Sequence, residues 1–146
     1  MSHTGNCLCG AVAYSFEGEP LSVGLCHCRD CQRARGTLFQ HAIVIRRSQL
    51  SLEGDFASFE VEGDKDKITR RFCPRCGSGV LMEPRVAPKV AIIKGGTLDD
   101  PSAFKPAREV FTAGKPSWLH TVEKFEGLMS LLARTAYHRA SAPFQL

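Results

Sequence analysis

The sequence lacks any long apolar run. No stretch of its 146 residues approaches the roughly 20 consecutive apolar residues that a membrane-spanning helix needs. The N-terminal segment MSHTGNCLCG is polar and has no apolar run of signal-peptide length. We therefore expect a cytoplasmic protein that does not insert into a membrane.

The sequence also lacks the features of a nucleic-acid-binding protein. The net charge is only +4, and no basic stripe interleaved with aromatic residues is present. Two basic pairs, Arg46-Arg47 and Arg70-Arg71, are interpreted as solvated surface. Nucleic acid is therefore not favoured as a partner.

Helical periodicity is sparse, and short β-like segments dominate. Val12, Tyr14 and Phe16 alternate with Ala13, Ser15 and Glu17, which is the pattern of a half-buried strand. FASFEVEGDKDKITRRF reads as two strands around a turn at EGDKDK. Four further strands are predicted in HAIVIRR, SGVLMEP, KVAIIKGG and REVFTAG. These patterns predict a mostly β fold.

Two segments have helical character. DCQRARG can form about two turns after the second cysteine cluster, with Asp30 as its N-cap. LMSLLARTAYHRA predicts a helix near the C-terminus. We expect one β domain over residues 1–126 and a helical extension over residues 127–146.

Cysteine is present in an odd number, which argues against a complete set of disulfides. A C-x-C pair is poorly placed to form a disulfide within itself, and a reducing compartment keeps thiols free. Clustered cysteines in such a compartment more often bind metal. The seven cysteines form three clusters: CLC (Cys7, Cys9), CHCRDC (Cys26, Cys28, Cys31) and CPRC (Cys73, Cys76).

The first and third clusters together supply the four thiolates of a structural zinc site. In CPRC, Pro74 and Gly77 favour a tight turn that directs both thiols at one ion. CLC is the natural partner because it offers two more thiols far away in the sequence. A zinc ion held by both clusters would fasten the N-terminal strand to the middle of the chain and would contribute folding free energy.

The middle cluster would then hold a second zinc ion with only three thiolates. Three protein ligands and an exchangeable fourth position are typical of a reactive zinc, which can polarise a carbonyl or bind a substrate thiolate. His27 or His41 could instead close this site. His27 lies between two ligands and is expected to project away from a shared ion, whereas His41 is expected to be a packed or surface residue.

The ordered segments GNCLCGAVAYSF, CHCRDCQRARG, RRFCPRCGSGV and IIKGGTLDDPSAFKPAREVF…GKPSWL closely resemble the glutathione-dependent formaldehyde-activating enzyme family, which includes the centromere-protein-V group. The resemblance runs from about Gly5 to Phe125. It implies a β-tent fold of short antiparallel sheets with two zinc ions. It implies a structural site matching Cys7, Cys9, Cys73 and Cys76, and a catalytic site matching Cys26, Cys28 and Cys31.

The founding activity of that family joins formaldehyde and glutathione into S-hydroxymethylglutathione and is classed with carbon–sulfur lyases. We therefore expect a zinc-dependent enzyme, monomeric or homodimeric, that acts on a small thiol–aldehyde adduct, with glutathione as one thiol to consider. Arg29, Arg33 and Arg35 would hold substrate carboxylates. Trp118 either lines the pocket or belongs to the core. The alternative function is a non-catalytic binding domain stabilised by zinc. A third hypothesis is a zinc-assisted association with nucleic acid or chromatin, which the modest net charge does not favour.

Overall fold

The computed structural model of the protein describes residues 1–61 and 67–121. The described chain contains one short α-helix, α1 (Arg29–Arg33), and single turns of 3-10 helix. The remaining regular structure is ten strands: β1 (Ser2–Asn6), β2 (Ala13–Glu17), β3 (Ser22–Cys26), β4 (Gln40–Arg46), β5 (Leu50–Glu53), β6 (Ala57–Val61), β7 (Ile68–Phe72), β8 (Gly79–Pro84), β9 (Val90–Lys94) and β10 (Arg108–Val110).

The strands form two sheets. The small sheet has the order β1-β2-β5, and the large sheet has the order β10-β3-β4-β9-β8-β7-β6. All neighbours pair antiparallel except β10, which runs parallel to β3 and places Glu109 beside Leu25 and Val110 beside Cys26. No helix in the described part of the chain is long and apolar enough to cross a membrane.

The main hydrophobic core lies between the small sheet and one face of the large sheet. Tyr14 and Phe16 of β2 are buried there, as the alternation in the sequence predicts. Ile43 of β4 pairs with Ile93 of β9, and both side chains are fully buried in the same core. The short apolar runs of β4 and β9 therefore supply the inner face of a two-layer packing.

The opposite face of the large sheet carries a second, smaller cluster of buried side chains. Because directly paired residues project from the same face and alternate residues share it, the register places residues of five strands side by side there. Cysteine side chains, Met82 and the flanking Ile68 and Ile92 form this cluster. The paired positions on this face are Cys26 with Gln40, Ala42 with Lys94, Ile92 with Met82, and Met82 with Arg70.

The predicted mostly β fold is confirmed, with differences in detail. Every predicted strand is present, and three strands that were not predicted, β1, β3 and β5, complete the two sheets. The helix starts inside the middle cysteine cluster, and Cys28 rather than Asp30 is its N-cap: the Cys28 sulfur accepts a hydrogen bond from the Cys31 amide. The turn between β6 and β7 and the C-terminal helix fall mostly or wholly outside the described residues.

Candidate metal centres and active site

Four cysteines meet where two hairpin turns approach each other. Cys7 and Cys9 lie in the turn between β1 and β2, and Cys73 and Cys76 lie in the turn between β7 and β8. Gly77 has a φ of 73°, a left-handed conformation that glycine adopts readily, and its amide donates to the Cys73 carbonyl. The two turns thus join the small sheet to the large one.

The spacing of these four sulfurs fits one tetrahedral ion. All four lie within 4.8 Å of one another, with Cys7–Cys9 at 3.6 Å and Cys9–Cys73 at 3.8 Å. Sulfurs on a tetrahedral zinc ion with bonds of about 2.3 Å are about 3.8 Å apart. Hydrogen bonding to Ser78 also lowers the pKa of Cys76 to about 5, which favours the thiolate that a metal requires.

The other three cysteines form a second group, the cysteine trio. Cys26 ends β3, Cys28 caps α1, and Cys31 lies within α1. Their sulfurs also lie within 4.8 Å of one another. The donor set of three thiolates fits a zinc ion with one position left for an exogenous ligand.

The trio cannot carry three negative charges without a cation. Interactions with Cys26 and Cys28 stabilise the Cys31 thiolate and lower the pKa of Cys31 to about 2, with Lys94 and Arg70 contributing. Cys28, Cys31 and burial raise the pKa of Cys26, since its ionisation would place a second negative charge beside Cys31. A divalent ion removes this conflict, and this is the electrostatic basis for a metal at the trio.

Two cations that the sequence interpretation did not assign to the site lie beside the trio. Arg70 was expected to be solvated surface, but it is only 7% exposed, because it lies on the same sheet face as Met82. Lys94 is 4% exposed, and its ammonium donates to Gln40 Oε1. Burial, reinforced by Arg35, lowers the pKa of Lys94 to about 7. The pairing register of the strands would have placed both residues beside the trio, but that register cannot be read from patterns in a single sequence.

The three arginines predicted to hold substrate are placed differently. Arg29 donates to Gln32 Oε1 at 2.5 Å, and Arg33 is exposed. Arg35 is half-buried and lies over Gly79, where a Cβ atom would overlap its guanidinium. Burial and the nearby Arg70 lower the pKa of Arg35. Only Arg35 therefore joins the two cations that lie beside the trio.

A buried ion-pair network supports the loop between Cys26 and Cys28. His27 is fully buried, and its Nε2 lies 3.3 Å from Glu109 Oε1. Lys115 donates to both Glu109 oxygens, at 3.1 and 2.9 Å. His27 therefore points away from the trio, as predicted, and fixes the loop instead of binding the metal.

The remaining two side chains singled out in the sequence are not ligands. His41 projects from the other face of the large sheet, where it is paired with Leu25, and belongs to neither cysteine group. Its ring packs over Gly95, so it is a packed histidine. Trp118 is 67% exposed, which overturns its interpretation as a core residue.

We predict that the two groups differ in what they do for the fold. Cys76→Ser should remove one zinc per chain and the cooperative unfolding transition, because that ion joins chain segments more than 60 residues apart and contributes on the order of 10 kcal/mol. Cys28→Ser should also remove one zinc but keep the transition, because the trio closes only a short loop and serine is a good N-cap. Zinc analysis and thermal unfolding by circular dichroism provide the measurement, and equal collapse of both variants would contradict it.

We predict that Glu109→Ala loosens the trio specifically. The change leaves His27 and Lys115 without their buried acceptor, which should destabilise the protein by roughly 3 kcal/mol or more. Chelator-induced zinc release should accelerate at the trio and not at the four-cysteine site. Glu60→Ala is the matched control, since it removes an exposed carboxylate paired with Arg85 and should change stability by less than about 1 kcal/mol. Equal release rates in both variants would show that the network does not support the loop.

Comparison with known proteins identifies a similar fold and the family of the chain. A crystal structure of a Rhodobacter sphaeroides protein, determined in a structural genomics programme, resembles this fold with a TM-score of 0.52 and 25% sequence identity, covering 66% of this chain and 87% of that one. No curated protein matches. The family model described as glutathione-dependent formaldehyde-activating enzyme matches residues 2–114, which include all seven cysteines. The chain belongs to the glutathione-dependent formaldehyde-activating enzyme family.

Proposed function

We propose that this protein is a zinc-dependent enzyme of the carbon–sulfur lyase type, which forms or cleaves the bond between a small thiol and an aldehyde. The observation that carries the proposal is the trio of thiols with no fourth protein ligand among the described residues. Glutathione is one thiol to test, given the family to which the chain belongs. We further propose that the cysteine trio is the catalytic centre and that the four-cysteine site is structural.

The zinc ion that fits the trio would supply a Lewis-acidic position for a sulfur or a carbonyl oxygen. Cys26, Cys28 and Cys31 would hold that position at the end of β3, on the outer face of the large sheet. Because the trio shares no cysteine with the four-cysteine site, a ligand could exchange at the trio while the four-cysteine site keeps the fold intact. The geometry therefore supports a reactive trio beside a closed structural site.

The reaction itself requires little from the protein beyond placement and charge. The thiolate sulfur adds to the carbonyl carbon, the carbonyl electron pair moves to oxygen, and that oxygen takes a proton; the reverse steps cleave the carbon–sulfur bond. Met82 and Ile92 pack beside the trio and make that side of it apolar. Lys94 and Arg70 help to stabilise the Cys31 thiolate, and the same positive charge would favour a substrate thiolate bound beside it.

Exchange spectroscopy with ¹³C-formaldehyde and a panel of thiols tests the proposal. Zinc-loaded protein should accelerate the interconversion of free aldehyde and hydroxymethyl thiol for at least one thiol. Cys28→Ser should lose the acceleration while it keeps its cooperative unfolding transition. Arg33→Met is the matched control, because it removes an exposed charge from the same helix and should retain the activity.

The outcome that would overturn the proposal is also defined. If zinc-loaded wild-type protein accelerates no adduct in the panel, glutathione included, the catalytic interpretation fails. The trio would then be a second structural centre of a non-catalytic binding domain, which is the alternative that the sequence leaves open.

A further inference from the structure

The polar groups beside the trio are all hydrogen-bond donors. Arg35 Nε and Gln40 Nε2 are buried and have no hydrogen-bond partner. The side-chain oxygen of Gln40 is already used, since it accepts from the Lys94 ammonium. The hydrogen bond of Arg70 is to the sulfur of Met82, at 3.9 Å, which is a weak acceptor. A ligand that forms hydrogen bonds with these donors must therefore carry hydrogen-bond acceptors.

Three of these groups are cationic, and none of the three has a carboxylate partner among the described residues. Arg35, Arg70 and Lys94 form no ion pair with any carboxylate in residues 1–61 and 67–121, where the ion pairs involve other cations. Arg70 and Lys94 are more than nine-tenths buried. Unpaired buried charges are strongly unfavourable, so a site that holds them is built to receive a compensating charge.

The cysteine trio does not supply all of that charge once a metal is bound. Three thiolates and a divalent ion together carry one negative charge, whereas Arg35, Arg70 and the protonated form of Lys94 carry three positive charges. A thiolate in the fourth position adds one negative charge, and one carboxylate adds a second. The occupant that neutralises the site is therefore a molecule with one thiolate and one carboxylate within reach of it.

The position of Arg35 depends on Gly79 at the start of β8. The guanidinium occupies the space that a side chain at position 79 would fill. A register shift in the pairing of β7 with β8 falls between Arg71 and Phe72, and Phe72 is the partner of Gly79. Bulges of this kind redirect side chains beside functional sites. The guanidinium is thus held by the sheet rather than left in solvent.

We propose that Arg35, Arg70, Lys94 and Gln40 form a carboxylate-binding site beside the cysteine trio, which selects thiol substrates that carry a carboxylate. The inference rests on the proposed function, because it assumes that the thiol sulfur binds at the trio. It replaces Arg29 and Arg33 as the predicted substrate-binding residues with residues that share a buried sheet face. Guanidinium forks suit carboxylates geometrically, and Gln40 Nε2 offers a further donor.

A matched pair of thiols tests the proposal on cobalt-substituted protein. The probes are 3-mercaptopropionate and 3-mercaptopropionamide, which have the same shape and differ by one charge. Changes in the cobalt–thiolate absorption bands report binding at the trio without a need for turnover. Wild type should bind the carboxylate roughly tenfold to a hundredfold more tightly than the amide, as expected for hydrogen bonds to a charged group.

The variants assign this preference to the named residues. Arg35→Met and Lys94→Met should each reduce the preference by about tenfold, whereas Arg33→Met should keep it. Gly79→Ala provides an independent variant that displaces the guanidinium without removing it, and it should also reduce the preference. Metal content and thermal unfolding, measured for each variant, identify any that no longer folds.

The two proposals fail in different ways. If wild type binds both thiols with equal affinity, the carboxylate site is wrong while thiol binding at the trio stands. If neither thiol changes the cobalt bands, thiol binding at the trio is wrong, and the carboxylate proposal fails with it. An equal preference in wild type, Arg35→Met and Lys94→Met would also overturn the assignment of residues.

Discussion

The structure depends on the meeting of two cysteine turns from different sheets. One turn follows β1 and the other follows β7, and their four sulfurs lie at the separations of a tetrahedral metal site. Short strands with a modest core gain little stability from hairpins alone. A metal ion shared by the two turns would fix the small sheet against the large one and would leave the outer face of the large sheet available for a second site.

That outer face combines features that are unfavourable for folding and useful for binding. Arg70 and Lys94 are buried close to thiols, and Arg35 approaches them over a glycine. Phe111, which packs against the same cluster, has a φ of 57°, a conformation that bulky residues rarely adopt. Strain and unpaired charge at one place are typical of a functional site, because the rest of the fold must stabilise them.

The sequence alone predicted the mostly β fold, from local periodicity, and the grouping of the cysteines, from their number and motif spacing. Count, compartment and motif spacing are enough to divide seven thiols into four and three. The cationic group could not be predicted in the same way. Arg70 looked like half of a surface pair, and Lys94 looked like the end of an apolar strand; only the pairing of β4, β9, β8 and β7 brings them together. Long-range register is not encoded in a local pattern.

The helix beside the trio shows the same limit on a smaller scale. Asp30 is a good N-cap by residue type, yet Cys28 takes that position, and its sulfur both accepts from the Cys31 amide and belongs to the trio. Here the requirement of the site overrides local propensity. Likewise, β1 is polar and has no strand pattern of its own in the sequence, but it pairs with β2 along its whole length.

X-ray absorption at the zinc edge of the two-zinc protein tests the central claim most directly. Seven sulfurs shared between two ions predict an average of about 3.5 sulfur neighbours per zinc, with the remaining scattering from oxygen. Addition of a thiol that binds at the trio should raise this average to about 4. Scattering from an imidazole ring, or an average of 4 before any thiol is added, would contradict an open position at the trio.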